Sequence, residues 1–205
     1  MKKIISFILL VIFYIPLLII FPVRIIGRKN IPKKGRMIFC CNHQSNADPI
    51  VMWSRIFRRR FNYMGKDSLF KNKFVGFMCS CFGVYPVDRS TTDVKALRKT
   101  LSLLKNEKAV CIFPEGRRVH EGDSHQLKNG VVIFALKTGA PIVPAHYDKK
   151  IRAFRFSKLI IGEQFDLAKE IGYNDGDKIT QEVIDAGLKV LSEKMFGVNK
   201  GENNE

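Results

Sequence analysis

The stretch "RMIFCCNHQSNADPIVMWSRIF", Arg36–Phe57, decides the fold. Its first part, "RMIFCC" (36–41), is an apolar run bounded by Gly35 and by polar residues, and reads as a strand buried on both faces. Its last part, "PIVMWSRIF" (49–57), has helical length and opens on proline, which suits a first helical turn. Between them lies the polar turn "NHQSNAD" (42–48). A buried strand running through a short polar turn into a helix is the repeating unit of an α/β domain.

The same alternation continues along the chain. Strands are expected at "FNYMG" (61–65), "GVYPVDR" (83–89), "AVCIFP" (109–114) and "APIVPAHY" (140–147), with further β-structure across "KKIRAFRFSKLIIGEQF" (149–165). Helices are expected at "LFKNKFVGFMCSCF" (69–82), at "NGVVIFALKTG" (129–139) closed by Gly139, and at "TQEVIDAGLKVLSEKMFG" (180–197). In Asp93–Glu107, Val94, Leu97, Leu101 and Leu104 share one face, as in an amphipathic helix packed on a sheet. The fold class is therefore α/β, a mainly parallel central sheet flanked by helices. No repeat or linker marks a second folded unit, so residues 31–197 form one domain, and the polar tail 198–205 is expected to be disordered.

Ahead of this domain, Ile4–Val23 holds no charged residue. About 20 apolar residues suffice to cross a hydrocarbon core. Residues 1–30 thus read as an N-terminal membrane-associated helical segment. Pro16 lies within it and Pro22 near its end, so a bent or re-entrant course stays open beside a simple span. A cleaved signal peptide is the rival, but bulky and charged residues follow in place of a small-residue cleavage site. Arg24, Arg28, Lys29, Lys33, Lys34 and Arg36 on the far side outnumber Lys2 and Lys3, which places the domain on the cytoplasmic side of a cell membrane. Cys40, Cys41, Cys79, Cys81 and Cys111 sit in apolar stretches without metal-ligand spacing, and read as reduced core thiols.

With 35 Lys and Arg against 19 Asp and Glu, the net charge of +16 favours anionic partners. Three polar clusters follow three expected strands, "NHQSNAD", "PVDRS" (86–90) and "PEGRR" (114–118), and ligands of parallel sheets gather at such strand ends. His43 and Asp48 stand five positions apart, about 140° around a helix, so one of them lies in the loop. Asp48 before Pro49 fits a helix N-cap, leaving His43 free to fold back on it. A carboxylate on one imidazole nitrogen fixes the tautomer and lets the other nitrogen take a proton from an attacking alcohol. The cap reading and the catalytic reading are compatible. In "FPEGRR" (113–118), Gly116 lets backbone approach a ligand, and the forks of Arg117 and Arg118 match phosphate oxygens. Arg89 and Lys128 could add charge there, or lie at the surface. His120, His125 and His146 lack paired carboxylates and read as structural.

Taken together, "NHQSNADP", "GVYPVDR", "FPEGRR" and "APIVPA", in that order, resemble the four sequence blocks of the 1-acylglycerol-3-phosphate acyltransferase family, within the glycerolipid acyltransferase superfamily. The likeness runs from about Gly27 to Tyr147. It implies that His43 is the general base and Asp48 its orienter. It also implies that Glu115 and Arg118 bind or orient the glycerol phosphate with Arg89 assisting, and Lys128 fits the family's Lys before a glycine; Gly116 and Arg117, read above as part of the anion site, complete the expected substrate-binding set. The acceptor would be lysophosphatidic acid and the product phosphatidic acid. The donor would be acyl-CoA or acyl-carrier protein, with no other cofactor and no metal. Arg117 stands where the family commonly has Thr or Ser, which leaves the headgroup open. Membrane lipid then accounts for the basic surface without nucleic acid. The alternatives are an acyltransferase for another lysophospholipid, glycerol 3-phosphate or an amino-acid lipid, and, in a different class, a non-catalytic basic membrane-binding protein.

Overall fold

Met37, Ile38, Phe39, Cys40 and Cys41 are all fully buried, as a strand must be when apolar layers cover both of its faces. Successive side chains point to opposite faces. Met37, Phe39 and Cys41 accordingly join one core cluster, and Ile38 and Cys40 the other.

The computed structural model describes residues 2–56, 59–88, 93–119 and 126–197. Arg89, His120, His125, the end of the expected helix at Phe57 and the tail 198–205 lie outside these residues. The elements in chain order are α1 (Lys2–Ile20), β1 (Val23–Ile26), β2 (Met37–Cys41), α2 (Asp48–Arg55), β3 (Phe61–Lys66), α3 (Lys73–Cys81), β4 (Val84–Val87), α4 (Val94–Lys105) and β5 (Ala109–Ile112). They continue with α5 (Gly130–Thr138), β6 (Ile142–Tyr147), β7 (Ser157–Ile161), α6 (Leu167–Ile171) and α7 (Gln181–Phe196). The sheet order is β1-β7-β6-β2-β5-β3-β4. Strands β3, β4, β5, β2 and β6 are mutually parallel, whereas β7 runs antiparallel to β6 and β1 follows β7.

One face of the sheet packs on Val51, Met52 and Ile56 at α2. The other packs on Leu104 of α4, Val131, Val132 and Ala135 of α5, and Ile184, Leu191 and Met195 of α7. The mainly parallel, helix-flanked sheet expected from the sequence is present, with several local differences. Val23–Ile26, read as part of the membrane segment, is an edge strand that pairs with β7. In 149–165 only Ser157–Ile161 is a strand, joined by an isolated bridge between Ile142 and Phe165. The helix expected over 69–82 is split into a 3₁₀ turn (Asp67–Phe70) and α3, because the Asn72 side chain accepts from the Phe74 and Val75 amides and starts a new helix. Val94 is 49% exposed. Leu97, Leu101 and Leu104 pack on the core as expected, joined by buried Ala96 and Thr100, and the Thr100 hydroxyl bonds both the Tyr85 hydroxyl and the Ala96 carbonyl at 2.8 Å.

Among the described residues, no helix is long and apolar enough to cross a membrane. α1 packs against α2 and α3. The Arg55 guanidinium at the end of α2 donates to the Phe21 carbonyl at 2.7 Å, just beyond the last turn of α1. Ile4, Ile8, Val11, Ile12, Ile15 and Ile19 remain exposed on α1, as do Phe74, Val75 and Phe77 on α3.

Leu191, fully buried on α7, offers a direct check on the packing of that helix. Leu191→Ala is expected to lower unfolding free energy by about 2–5 kcal/mol in denaturant titrations. A loss below about 1 kcal/mol would place α7 outside the core.

Candidate active site

β2 ends at Cys41, and the next residue ties the polar turn to the neighbouring strand. Asn42 is 3% exposed; its side-chain oxygen accepts from the Tyr147 amide at 2.7 Å and its Nδ2 donates to the Tyr147 carbonyl at 3.2 Å. A side chain here takes the place of the next ladder rung between β2 and β6, and the turn leaves the sheet from a fixed point. The Tyr147 hydroxyl in turn donates to the Asp48 carbonyl at 3.2 Å.

The turn then closes on one carboxylate oxygen. Asp48 Oδ2 receives His43 Nδ1 at 2.9 Å, the Gln44 amide at 2.7 Å and the Ser45 amide at 2.8 Å. Asp48 is fully buried, and the His43 side chain is 13% exposed. The N-cap position expected for Asp48 belongs to Ala47; Asp48 is the first residue of α2. Its carboxylate points back to the loop amides rather than forward to those of the helix. The physical reason is the preceding turn, in which the Asp48 amide donates to the Ser45 carbonyl at 3.2 Å and carries the side chain over the loop.

An ionised carboxylate can only accept, so the shared proton resides on His43 Nδ1 and Nε2 presents its lone pair. The imidazole is steadied by Phe113, stacked on it with centroids 4.3 Å apart and planes inclined by 24°. Cys41 and Cys111 lie in the buried layer beneath. Desolvation holds both thiols well above the usual cysteine range, and the charge of Asp48 adds to the effect. Neither is a nucleophile at neutral pH.

The turn after β5 meets this histidine. Gly116 donates to the Phe113 carbonyl at 3.0 Å, Lys128 donates through its amide to the Pro114 carbonyl at 2.7 Å, and Val119 donates to the His43 carbonyl at 2.8 Å. Glu115 is buried at 3% exposure, whereas Gly116, Arg117, Arg118 and Lys128 are exposed. Gly116 has φ +67°, and a side chain there would touch the stem of Lys128. The structure thus gathers His43, Asp48, Glu115, Gly116 and Lys128 at the carboxyl ends of β2 and β5, with Arg117 and Arg118 on the chain that returns to His43.

The chain as a whole is similar to known proteins. A sequence model of the family described as Acyltransferase matches residues 22–148. The chain belongs to the Acyltransferase family. It is 33% identical over 146 residues to 1-acyl-sn-glycerol-3-phosphate acyltransferase of Bacillus subtilis, covering 69% of this chain and 72% of that protein. To the enzyme of the same name from Borreliella burgdorferi it is 34% identical over 58% of this chain, spanning about half (48%) of that longer protein. The fold is also that of the 1-acyl-sn-glycerophosphate (LPA) acyltransferase PlsC from Thermotoga maritima. The TM-score is 0.63 at 23% identity, covering 87% of this chain and 72% of that one.

Within this acyltransferase fold, Arg89 lies outside the described residues, and His146 is buried within β6. Asn42, Phe113 and Tyr147 were not singled out on sequence. Their signal was position alone, since each directly follows or ends a strand beside the turn.

Asp48→Asn keeps an acceptor for the loop amides and removes the charge that supports a protonated imidazole. The variant is expected to fold, with melting within a few degrees of the parent, and to lose roughly 10²–10⁴-fold in kcat. Unchanged turnover would reduce Asp48 to an organiser of the loop.

Proposed function

We propose that this protein transfers a fatty acyl group from an acyl thioester to the free hydroxyl of 1-acylglycerol 3-phosphate, giving phosphatidic acid. The observation that carries the reading is the 2.9 Å contact of His43 Nδ1 with buried Asp48 in a chain of this family, with Nε2 left to face substrate. The hydroxyl oxygen of the acceptor attacks the thioester carbonyl as Nε2 takes its proton. The imidazolium formed is stabilised by the Asp48 charge. It then returns the proton to the departing thiolate as the tetrahedral intermediate collapses. The C–O bond forms, the C–S bond breaks, and His43 is regenerated without an acyl-enzyme. The buried thiols and the absence of any serine hydroxyl bonded to His43 among the described residues support this direct route.

On this reading Arg118 and Lys128, exposed beside the His43 turn, receive the acceptor's phosphate, and Arg89 assists from the segment after β4. Arg117 adds a second guanidinium to the same turn and bears on the choice of headgroup. The acceptor lives in a bilayer, and the exposed apolar side chains of α1 and α3 form the surface that would meet it. α1 would lie against the cytoplasmic leaflet with its basic flank toward anionic headgroups.

Purified full-length protein supplied with 1-acylglycerol 3-phosphate and defined thioesters is expected to yield phosphatidic acid, read by lipid mass spectrometry. His43→Ala should lower the rate at least about 10³-fold. Transfer only to glycerol 3-phosphate, another lysophospholipid or an amino-acid lipid in the same panel would overturn this choice of acceptor. The membrane surface has its own check. Ile12→Asp with Phe74→Asp, both at exposed positions, should weaken flotation with anionic vesicles about tenfold or more. Undiminished flotation would take α1 and α3 off the bilayer.

A further inference from the structure

The strand order β6-β2-β5 sets the His43 turn in the middle, with one loop on either side. On the β5 side stand Arg117, Arg118 and Lys128. On the β6 side runs the segment 148–156, which leaves β6 at the same sheet edge and returns as the antiparallel β7. Four of its nine residues are cations: Lys149, Lys150, Arg152 and Arg155. All four are exposed, and none forms an ion pair with a described carboxylate.

These cations line a cleft of about 560 Å³, within the range of small-molecule sites. Its wall toward the active site is Gln44 and Val119. Gln44 directly follows the base, and its Oε1 is buried without a hydrogen-bond partner. Val119 is held to the His43 carbonyl. Phe156, 52% exposed, contributes an aromatic surface to the same cleft. The one carboxylate in its lining, Asp148, accepts from the Lys158 amide through Oδ1 at 2.7 Å and is outnumbered there by the four cations. The loop is ordered by backbone bonds to α1 and within itself: the Phe154 amide donates to the Ile20 carbonyl at 2.6 Å and the Arg155 amide to the Arg152 carbonyl at 3.2 Å.

An acyl transfer brings two substrates to one histidine, and both carry phosphate. They must approach from different sides. With the acceptor's phosphate on the β5 side, we propose that the β6–β7 cleft binds the phosphorylated leaving group of the acyl donor, a coenzyme-A-type thioester. Its phosphates meet Lys149, Lys150, Arg152 and Arg155, its adenine lies against Phe156, and its pantetheine arm passes Gln44 to bring the thioester carbonyl to the acceptor hydroxyl at His43. The inference rests on the acyl-transfer reading above and adds the donor's seat, choosing coenzyme A over a carrier protein.

The test uses the full-length chain with Arg152→Ala/Arg155→Ala, and Lys95→Ala/Lys99→Ala on the exposed face of α4 as a charge-matched control. Coenzyme A itself is titrated by calorimetry into each protein in a His43→Ala background, so that no turnover is needed. KM is measured separately for acyl-CoA and for lysophosphatidate. The loop variant should raise the Kd for coenzyme A and the KM for acyl-CoA about tenfold or more, with the KM for lysophosphatidate within about twofold and the control at parent values. Arg152→Lys/Arg155→Lys should recover most of the loss. Absence of coenzyme A binding by the parent, or equal binding by the loop variant, overturns the proposal. So does a rise confined to the KM for lysophosphatidate, which would make the cleft the acceptor's. If coenzyme A binding weakens as expected but no phosphatidic acid forms, the donor seat holds and the acceptor assignment alone falls.

Discussion

Asp48 Oδ2 is the point on which the site turns. One buried oxygen accepts from an imidazole and from two consecutive backbone amides, so the loop cannot change shape without stranding a charge away from water. That constraint converts a flexible six-residue turn into a rigid support for His43. The amides hold the carboxylate, the carboxylate holds the ring, and Phe113 limits the ring's remaining freedom. A buried charge is costly unless its hydrogen bonds are made, and here the three bonds that Oδ2 accepts also orient the base, while Oδ1 is buried without a partner.

The sheet carries this constraint outward. Asn42 locks the start of the turn to β6 through Tyr147, Val119 locks the chain after β5 to the His43 carbonyl, and α2 carries the turn's end to α1 through Arg55. Three neighbouring strands and the N-terminal helix are thereby referred to one histidine. Charge is distributed around it by topology, since the loops after β5 and β6 flank the turn after β2 and each bears its own set of cations.

Much of this was legible in the residue pattern, for reasons that differ by element. Arg36–Cys41 could be read because a strand buried on both faces is an unbroken apolar run, and Gly139 could be read as a stop because it adopts φ +60° at the end of α5. Val23–Ile26 was concealed: it is only four residues long, it carries Arg24 among its apolar residues, and its partner lies far along the chain in β7. Residues 149–156 alternate like a strand, yet their cations face solvent and their backbone bonds go to α1 and to one another. His43 and Asp48 were legible as a pair, but the capping role assigned to Asp48 was not its role. A local propensity rule cannot register that the carboxylate has a better partner in the loop behind it. Asn42, Phe113 and Tyr147 carry no chemical signature, and only the strand order reveals what they touch.

The pairing of β1 with β7 has a consequence for how the protein comes to be made. β1 follows α1 directly, but the strand it needs begins at Ser157, more than half the chain later. During synthesis β1 is made well before β7, so the edge that will receive it does not yet exist. Such long-range closure is slow relative to local helix formation. β1 therefore stays without its partner until β7 has been made, and that edge of the sheet closes only then.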